Sequence, residues 1–216
     1  MKGRERLAKW AREKGMMQNG IALGDLPGRG VGMVATKKLR AGQTTLHVPL
    51  DCIRSLHTVP DHIRRKLPSD FSIPGLLAAE LTVDNPVELS AWREIIPSLS
   101  TFKASLPFFW SEQLQQLLPE PAKGFERSWF VVSTRTFYYI TPETEKYPPE
   151  DRIALVPVAD MLNHAESGCE VLITTDGFTI TSDRAYRPGQ EVKISYGGHP
   201  NDFLLAEYGF VLSEKK

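Results

Sequence analysis

Ala154-Leu155-Val156-Pro157-Val158-Ala159-Asp160-Met161-Leu162-Asn163-His164 is the stretch that decides how this chain reads. An apolar, strand-like run enters a proline, and a short turn delivers an adjacent Asn-His pair. An Asn side chain offers two donors and an acceptor, and His adds ring and backbone groups, so the pair suits a polar small molecule. Further on, Val192-Lys193-Ile194-Ser195-Tyr196-Gly197 reads as an alternating strand ending on its tyrosine. Tyr208-Gly209-Phe210 then sets two aromatics around the most permissive residue. One Asn-His pair is a weak signal, whereas the three segments in this order are a strong one.

The bulk numbers narrow the field. A chain of 216 residues is long enough for one generous domain, or for a domain with a sizeable insertion. With 26 basic and 26 acidic residues the net charge is zero, so direct nucleic-acid binding is not expected. Cys52 and Cys169 stand far apart in no metal-ligand spacing, which predicts free thiols in an intracellular protein, cytoplasmic or nuclear. His47, His57, His62, His164 and His199 form no cluster with Cys or acidic residues, so no metal is expected. The N-terminus is charged, and no run approaches the roughly 20 apolar residues that span a bilayer; a soluble protein without a membrane partner is expected.

Outward from the central stretch, residues 4–17 read as an amphipathic helix, with Leu7, Trp10, Ala11 and Lys14 at helical spacing and Gly15 closing it. Asp25-Leu26-Pro27-Gly28-Arg29-Gly30-Val31-Gly32 lets backbone approach a ligand closely. No long helix or spaced acidic residue follows, so a dinucleotide site is rejected, and a plain turn is the simpler reading. In the strand through Val48, Thr45 and His47 alternate with Leu46 and Val48. Helical stretches are predicted at Pro60 to Leu67, Ile73 to Leu81, Glu88 to Ile96 and Ser111 to Leu118. In the last, Ser111 is the expected N-cap, and Leu114, Leu117 and Leu118 share a face. Phe108-Phe109-Trp110 is expected in the core. Strands are predicted at Phe130 to Val132 and at Phe137 to Ile140. Asp176-Gly177 reads as a two-residue hairpin turn between strands 171–175 and 178–181. A short helix is predicted around Asp202 to Glu207.

Taken together, Asp160-Met161-Leu162-Asn163-His164, the run Gly189 to Gly197 and the run Asn201 to Phe210 resemble the SET-domain protein methyltransferases. The likeness is to the branch of Rubisco large-subunit methyltransferase and related ribosomal-protein and elongation-factor methylating enzymes. Gly28 to Ala35 looks like that family's opening glycine motif; Gly28-Arg29-Gly30 and Gly30-Val31-Gly32 both fit, and the latter is preferred. Pro107 to Ser111 resembles its linker to the second half, and the likeness spans most of residues 5–213.

The resemblance implies an α+β SET-domain fold of several short β-sheets, with knot-like C-terminal threading and a mostly helical insert. Residues 1–54 would supply the N-terminal helix and the first part of the domain, 55–128 the insert, and 129–216 the second part. It implies a protein-lysine N-methyltransferase that uses S-adenosylmethionine, releases S-adenosylhomocysteine and acts on a non-histone protein bearing a lysine. Alternatives are a histidine target, as in a branch that methylates an actin histidine, and a non-catalytic interaction module of the same fold.

Carried residue by residue, the resemblance makes Tyr196 the catalytic tyrosine. It assigns cofactor binding to Arg29, Gly30, Val31, Gly32, Arg135, Asn163, His164, Tyr196, Tyr208 and Phe210. The Asn163 side chain would meet the cofactor's amino-acid end, the His164 backbone its adenine, and Arg135 its carboxylate. Phe137, Ile194, Tyr208 and Phe210 would line the substrate channel. Two departures are evident: no cysteine-rich zinc segment follows the core, and nothing through Lys216 corresponds to the helical C-terminal substrate-binding domain of the Rubisco-type enzymes. The second departure leaves the substrate's identity and the number of methyl groups open, and the sequence leaves the oligomeric state open.

Overall fold

Glycines and prolines cut this chain into short strands, and the close approaches they permit decide how those strands pair. The computed structural model describes residues 3–83, 89–116, 125–174 and 176–213, the side chains of 114 and 115 excepted. The chain opens with helix α1 (Gly3–Glu13) and strands β1 (Met17–Gln18), β2 (Ile21–Leu26), β3 (Gly30–Ala35) and β4 (Thr44–Pro49). Helices α2 (Asp61–Arg64), α3 (Ile73–Val83), α4 (Ser90–Arg93), α5 (Leu99–Ser105), α6 (Glu112–Gln116) and α7 (Glu126–Arg135) follow. Strands β5 (Thr136–Tyr138), β6 (Ile153–Leu155), β7 (Asn163–Thr174), β8 (Gly177–Thr181) and β9 (Glu191–Ile194) lead to helix α8 (Asn201–Tyr208). These elements form two compact units: Met1–Ile53, Ser90–Ile95 and Val156–Gly198 make the first, and Arg54–Leu89, Ile96–Leu155 and His199–Lys216 the second.

The first unit is a seven-stranded sheet in the order β1-β4-β8-β7-β9-β3-β2. Every neighbouring pair is antiparallel except β7 and β9, which run parallel with Asn163 opposite Lys193 and His164 opposite Ile194. That short parallel register joins two antiparallel groups. It tolerates a bulge between His164 and Cys169 because Gly168 lies there, where a Cβ would stand 2.5 Å from the Lys193 carbonyl. Beneath the sheet Met33, Leu46, Val48, Phe178, Ile180, Val192 and Ile194 are buried, each worth roughly 1.5–3 kcal/mol of transfer free energy. Leu7 and Ala11 bury one face of α1. That helix ends at Glu13, short of the predicted Met17. Gly15 takes φ 74°, its N–H bonds the Arg12 carbonyl, and Met17 already pairs with His47 in β4.

Two details of this sheet differ from the expectation. Thr45, expected on the polar face, is buried: the register shifts between Thr44 and Leu46, and its hydroxyl donates to the Ile180 carbonyl at 3.2 Å. Gly177, expected in the Asp176-Gly177 turn, instead belongs to β8 and pairs with Thr174; residue 175 lies outside the described residues. Gly177 is in the strand because it also faces Pro49, with its Cα so close to the Val48 carbonyl that any side chain would collide.

In the second unit α3 is buried almost all round, through Ile73, Gly75, Leu76, Leu77, Ala78, Glu80 and Leu81. It packs against α7, with the Thr82 hydroxyl donating to Ser128 at 2.9 Å, and the buried Glu80 carboxylate pairs with Arg54. Phe130 to Val132, predicted as a strand, lie in α7. Burial of all three outweighs the β-branched preference, and Thr134 and Thr136 hydroxyls bond the carbonyls four residues back, Phe130 and Val132. Phe102, Phe108, Phe109 and Phe130 form an aromatic cluster with centroids 4.7–5.8 Å apart. Trp110, expected with them in the core, is 62% exposed. An unforeseen helix, α5, is N-capped by Ser98, whose hydroxyl accepts from the Thr101 N–H. The Ser111 hydroxyl donates to the Gln113 side chain, and Glu88, Leu117, Leu118 and the side chain of Leu114 lie outside the described residues. No described helix is long and apolar enough to cross a membrane.

Candidate active site

Val156-Pro157-Val158 ends the apolar run, and a 3-10 turn at Ala159–Met161 turns the chain into β7. Val158 is the one described non-glycine residue at positive φ, 77°, a β-branched side chain in the left-handed region. Such a conformation costs about 1–3 kcal/mol and persists only where surroundings over-determine it. Here the Asp160 N–H bonds the Val156 carbonyl at 3.0 Å, and both Asp160 carboxylate oxygens accept from the Trp92 indole at 3.0 Å. Trp92 is fully buried on α4. This fastening delivers the Leu162 carbonyl, Asn163 and His164 in a defined order.

The parallel pairing does the rest. Because β7 and β9 run the same way, Tyr196, two residues beyond Ile194, comes beside His164. The Tyr196 N–H donates to His164 Nδ1 at 3.0 Å, which assigns Nδ1 as an acceptor, and the two rings lie 5.1 Å apart. The Tyr196 hydroxyl donates to the Leu162 carbonyl at 2.7 Å, which fixes the direction of its O–H. β9 itself ends at Ile194, before the predicted Tyr196, and Ile194 is buried.

Gly30, Val31 and Gly32 lie on β3 beyond its pairing with β9, which covers Met33 and Val34. Gly28 and Gly30 form the β2–β3 turn at φ 73° and 72°. Gly32 matters for space instead, since a Cβ there would collide with the Leu26 side chain and stand 2.8 Å from Asn163 Nδ2. Gly32→Ala is therefore expected to displace Asn163 and to cost about 1–2 kcal/mol, read by denaturant unfolding. Asn163 Nδ2 donates to Glu191 Oε1 at 2.8 Å, and Arg29 pairs with the same carboxylate at 2.5 Å. Glu191 carried no role in the reading of the sequence, although it stands inside the run Gly189 to Gly197; an acidic residue at the head of a strand gives no spacing signal.

Arg29, Gly30, Val31, Gly32, Asn163, His164, Ile194 and Tyr196 are thus gathered in the first unit, and Arg135, Phe137, Tyr208 and Phe210 belong to the second. There Arg135 ends α7, and Phe137 on β5 pairs with Ala154 on β6. Tyr208 closes α8, with Gly209 at φ 76° as its left-handed cap. A Cβ at Gly209 would meet the Ser105 carbonyl at 2.9 Å, so only glycine permits this turn. The Tyr208 and Phe210 rings lie 6.2 Å apart, and desolvation, reinforced by Glu207, raises the Tyr208 hydroxyl above the ordinary phenol range. Asn201, to which the sequence pattern assigned no role, clamps the tail: Nδ2 donates to the Leu212 carbonyl at 3.0 Å and Oδ1 accepts its N–H at 2.8 Å.

Residues 30–197 match the family described as the SET domain. This chain belongs to that family. A ribosomal lysine N-methyltransferase of Schizosaccharomyces pombe, set11, is 32% identical over 156 residues, covering 72% of this chain and 39% of that protein. SET domain-containing protein 4 of Mus musculus is 26% identical, covering 95% of this chain and 57% of that protein. The crystal structure of the SET domain of LSMT bound to lysine and AdoHcy superposes with a TM-score of 0.71 at 15% identity, covering 98% of this chain and 58% of that one. At that identity the likeness establishes the SET-domain fold, which is the fold class expected. The chain spans about two fifths to three fifths of the length of these two relatives.

Proposed function

We propose that this SET domain is an S-adenosylmethionine-dependent protein-lysine N-methyltransferase acting on a non-histone protein. The observation that carries the reading is the β7–β9 register, which sets Asn163-His164 beside Tyr196 with Gly32 clearing the space at the Asn163 amide. The residues fit the cofactor's polar end: an amide within a bonded network, a glycine strand that brings backbone close, and cationic Arg29 alongside. The relatives named as ribosomal lysine methyltransferases favour a lysine on a cytoplasmic or nuclear protein.

The bound cofactor supplies a methyl group already activated by its sulfonium. What the chain must do is bind, orient and keep water out. A lysine amine, with a free pKa of about 10.4, is neutral at pH 7 only at a cost of roughly 4.6 kcal/mol, and apolar burial lowers that cost. Phe137, Ile194, Tyr208 and Phe210 are the residues to which we assign contact with the lysine stem, and Arg135 the cofactor carboxylate. Tyr208, held above the ordinary phenol range, stays protonated at neutral pH and serves as a donor rather than a base. Tyr196 accepts a hydrogen from the amine on its lone pairs while its own proton is held by Leu162. The insert at 55–128, between the parts at 1–54 and 129–216, and the threading of the C-terminal segments belong to the same reading.

Calorimetric titration with S-adenosylmethionine, followed by labelled methyl transfer into a lysate and mass-spectrometric mapping, tests it. Saturable heat and label on a lysine are expected. Label on histidine moves the assignment to the actin-histidine type of activity, and absence of heat favours a non-catalytic module. Asn163→Ala is expected to weaken cofactor binding about tenfold, since a hydrogen bond to a charged group is worth about 1.5–3 kcal/mol. Unchanged affinity in that variant would remove Asn163 from the site.

A further inference from the structure

Glu191 opens β9 opposite Val34, and its side chain is only 9% exposed. Three donors converge on its carboxylate: Asn163 Nδ2 at 2.8 Å on Oε1, and on Oε2 Arg29 at 2.5 Å and Lys193 Nζ at 3.4 Å. A carboxylate of this kind accepts and does not donate. That chemistry determines which way the Asn163 amide faces. Turned the other way, its carbonyl oxygen would stand against Oε1, acceptor against acceptor. With Nδ2 committed to Glu191, Oδ1 points away from that carboxylate and is the atom Asn163 has to offer a ligand donor.

A surface ion pair between Arg29, half exposed, and an acid would contribute little by itself. The reach to Asn163 is what distinguishes this carboxylate. Gly32 adds a second constraint, because its missing side chain is what lets Nδ2 occupy its place. The Asn163 amide is therefore held from two sides, by a bond on one and by a cleared wall on the other.

We propose that Glu191 is a positioning residue: it selects the Asn163 amide orientation, and through it this site prefers ligands carrying an α-ammonium group. This rests on the cofactor reading above and assigns one part of it to a side chain outside the residues named for binding. S-adenosylhomocysteine has an amino-acid end with that ammonium; 5′-deoxy-5′-methylthioadenosine keeps the adenosine and the sulfur and lacks it. Methylthioadenosine lacks the carboxylate as well, so the ratio of their dissociation constants reports the whole amino-acid end, and its change on substitution of Glu191 reports what that residue contributes there.

Titration calorimetry of both ligands into the wild-type chain and into Glu191→Ala, Glu191→Asp and Glu191→Gln tests the proposal. Glu191→Ala is expected to weaken S-adenosylhomocysteine about tenfold and methylthioadenosine less than about twofold. Glu191→Gln, whose carbonyl still accepts from Asn163 Nδ2, is expected to restore affinity to within about threefold of wild type. Glu191→Asp keeps the charge beside Arg29 and Lys193 but withdraws the acceptor from Asn163, and is expected to show the same selective loss. It supplies the result if the alanine variant does not fold. Equal weakening of both ligands in the Asp variant, or no weakening of either, overturns the inference and leaves the cofactor reading standing. A wild-type chain that binds neither ligand overturns both.

Discussion

Tyr196→Phe is expected to lower the rate of methyl transfer about 100-fold while leaving cofactor affinity within about twofold of wild type. Loss of one preorganised polar group at a reacting centre costs about 10²–10³ in kcat. The hydroxyl is preorganised here by the Leu162 carbonyl, which accepts its hydrogen bond and so orients the phenol oxygen. Phenylalanine keeps the ring beside His164 and the backbone N–H on Nδ1, so the frame around the cofactor survives. Single-turnover transfer to a substrate lysine, with calorimetry on the same preparations, separates the two effects. If the variant transfers methyl at the wild-type rate, the orienting role passes to Tyr208, and Tyr208→Phe then becomes the inactive protein.

Trp92→Phe is expected to destabilise the fold by about 3 kcal/mol, a drop of roughly 10 °C in Tm for a chain of this size. Trp92 is fully buried and its indole N–H is shared by both oxygens of the buried Asp160. Phenylalanine removes that donor and leaves a cavity, so the carboxylate loses a bond it cannot replace from water. The strained Val158 turn is then released, and with it the placement of Leu162, Asn163 and His164. A double-mutant cycle with Asp160→Ala, which removes the acceptor of the Trp92 indole, is expected to return a coupling of at least about 1 kcal/mol. Strict additivity of the two substitutions would show that the bond does not hold the turn.

Legibility followed the range of the forces involved. Apolar periodicity in α1, the apolar run of α3, the closing glycine at Gly15 and the β7–β8 hairpin were readable because each depends on neighbours a few residues away. The segment Phe130 to Val132 was misread as a strand, for nothing local to it tells that α3 will cover it. Thr45 was placed on the wrong face because a bulge cannot be seen until β8 is alongside. Trp110 was expected inside on residue type alone, and residue type does not determine which of three successive aromatics reaches a core.

The same division holds at the site. The residues proposed for the site, among them the glycine strand, the Asn-His pair and Tyr196, stood out in the sequence as residue types in a recognisable order. Their grouping came only with the parallel register of β7 and β9, and the partners Glu191, Trp92 and the Leu162 carbonyl only with packing. A hydrogen bond joins atoms distant along the chain, as between Asn163 and Glu191 or Trp92 and Asp160, and carries no periodicity in sequence. Local patterns name the elements; where they meet is settled by burial and by which polar atoms are left to pair.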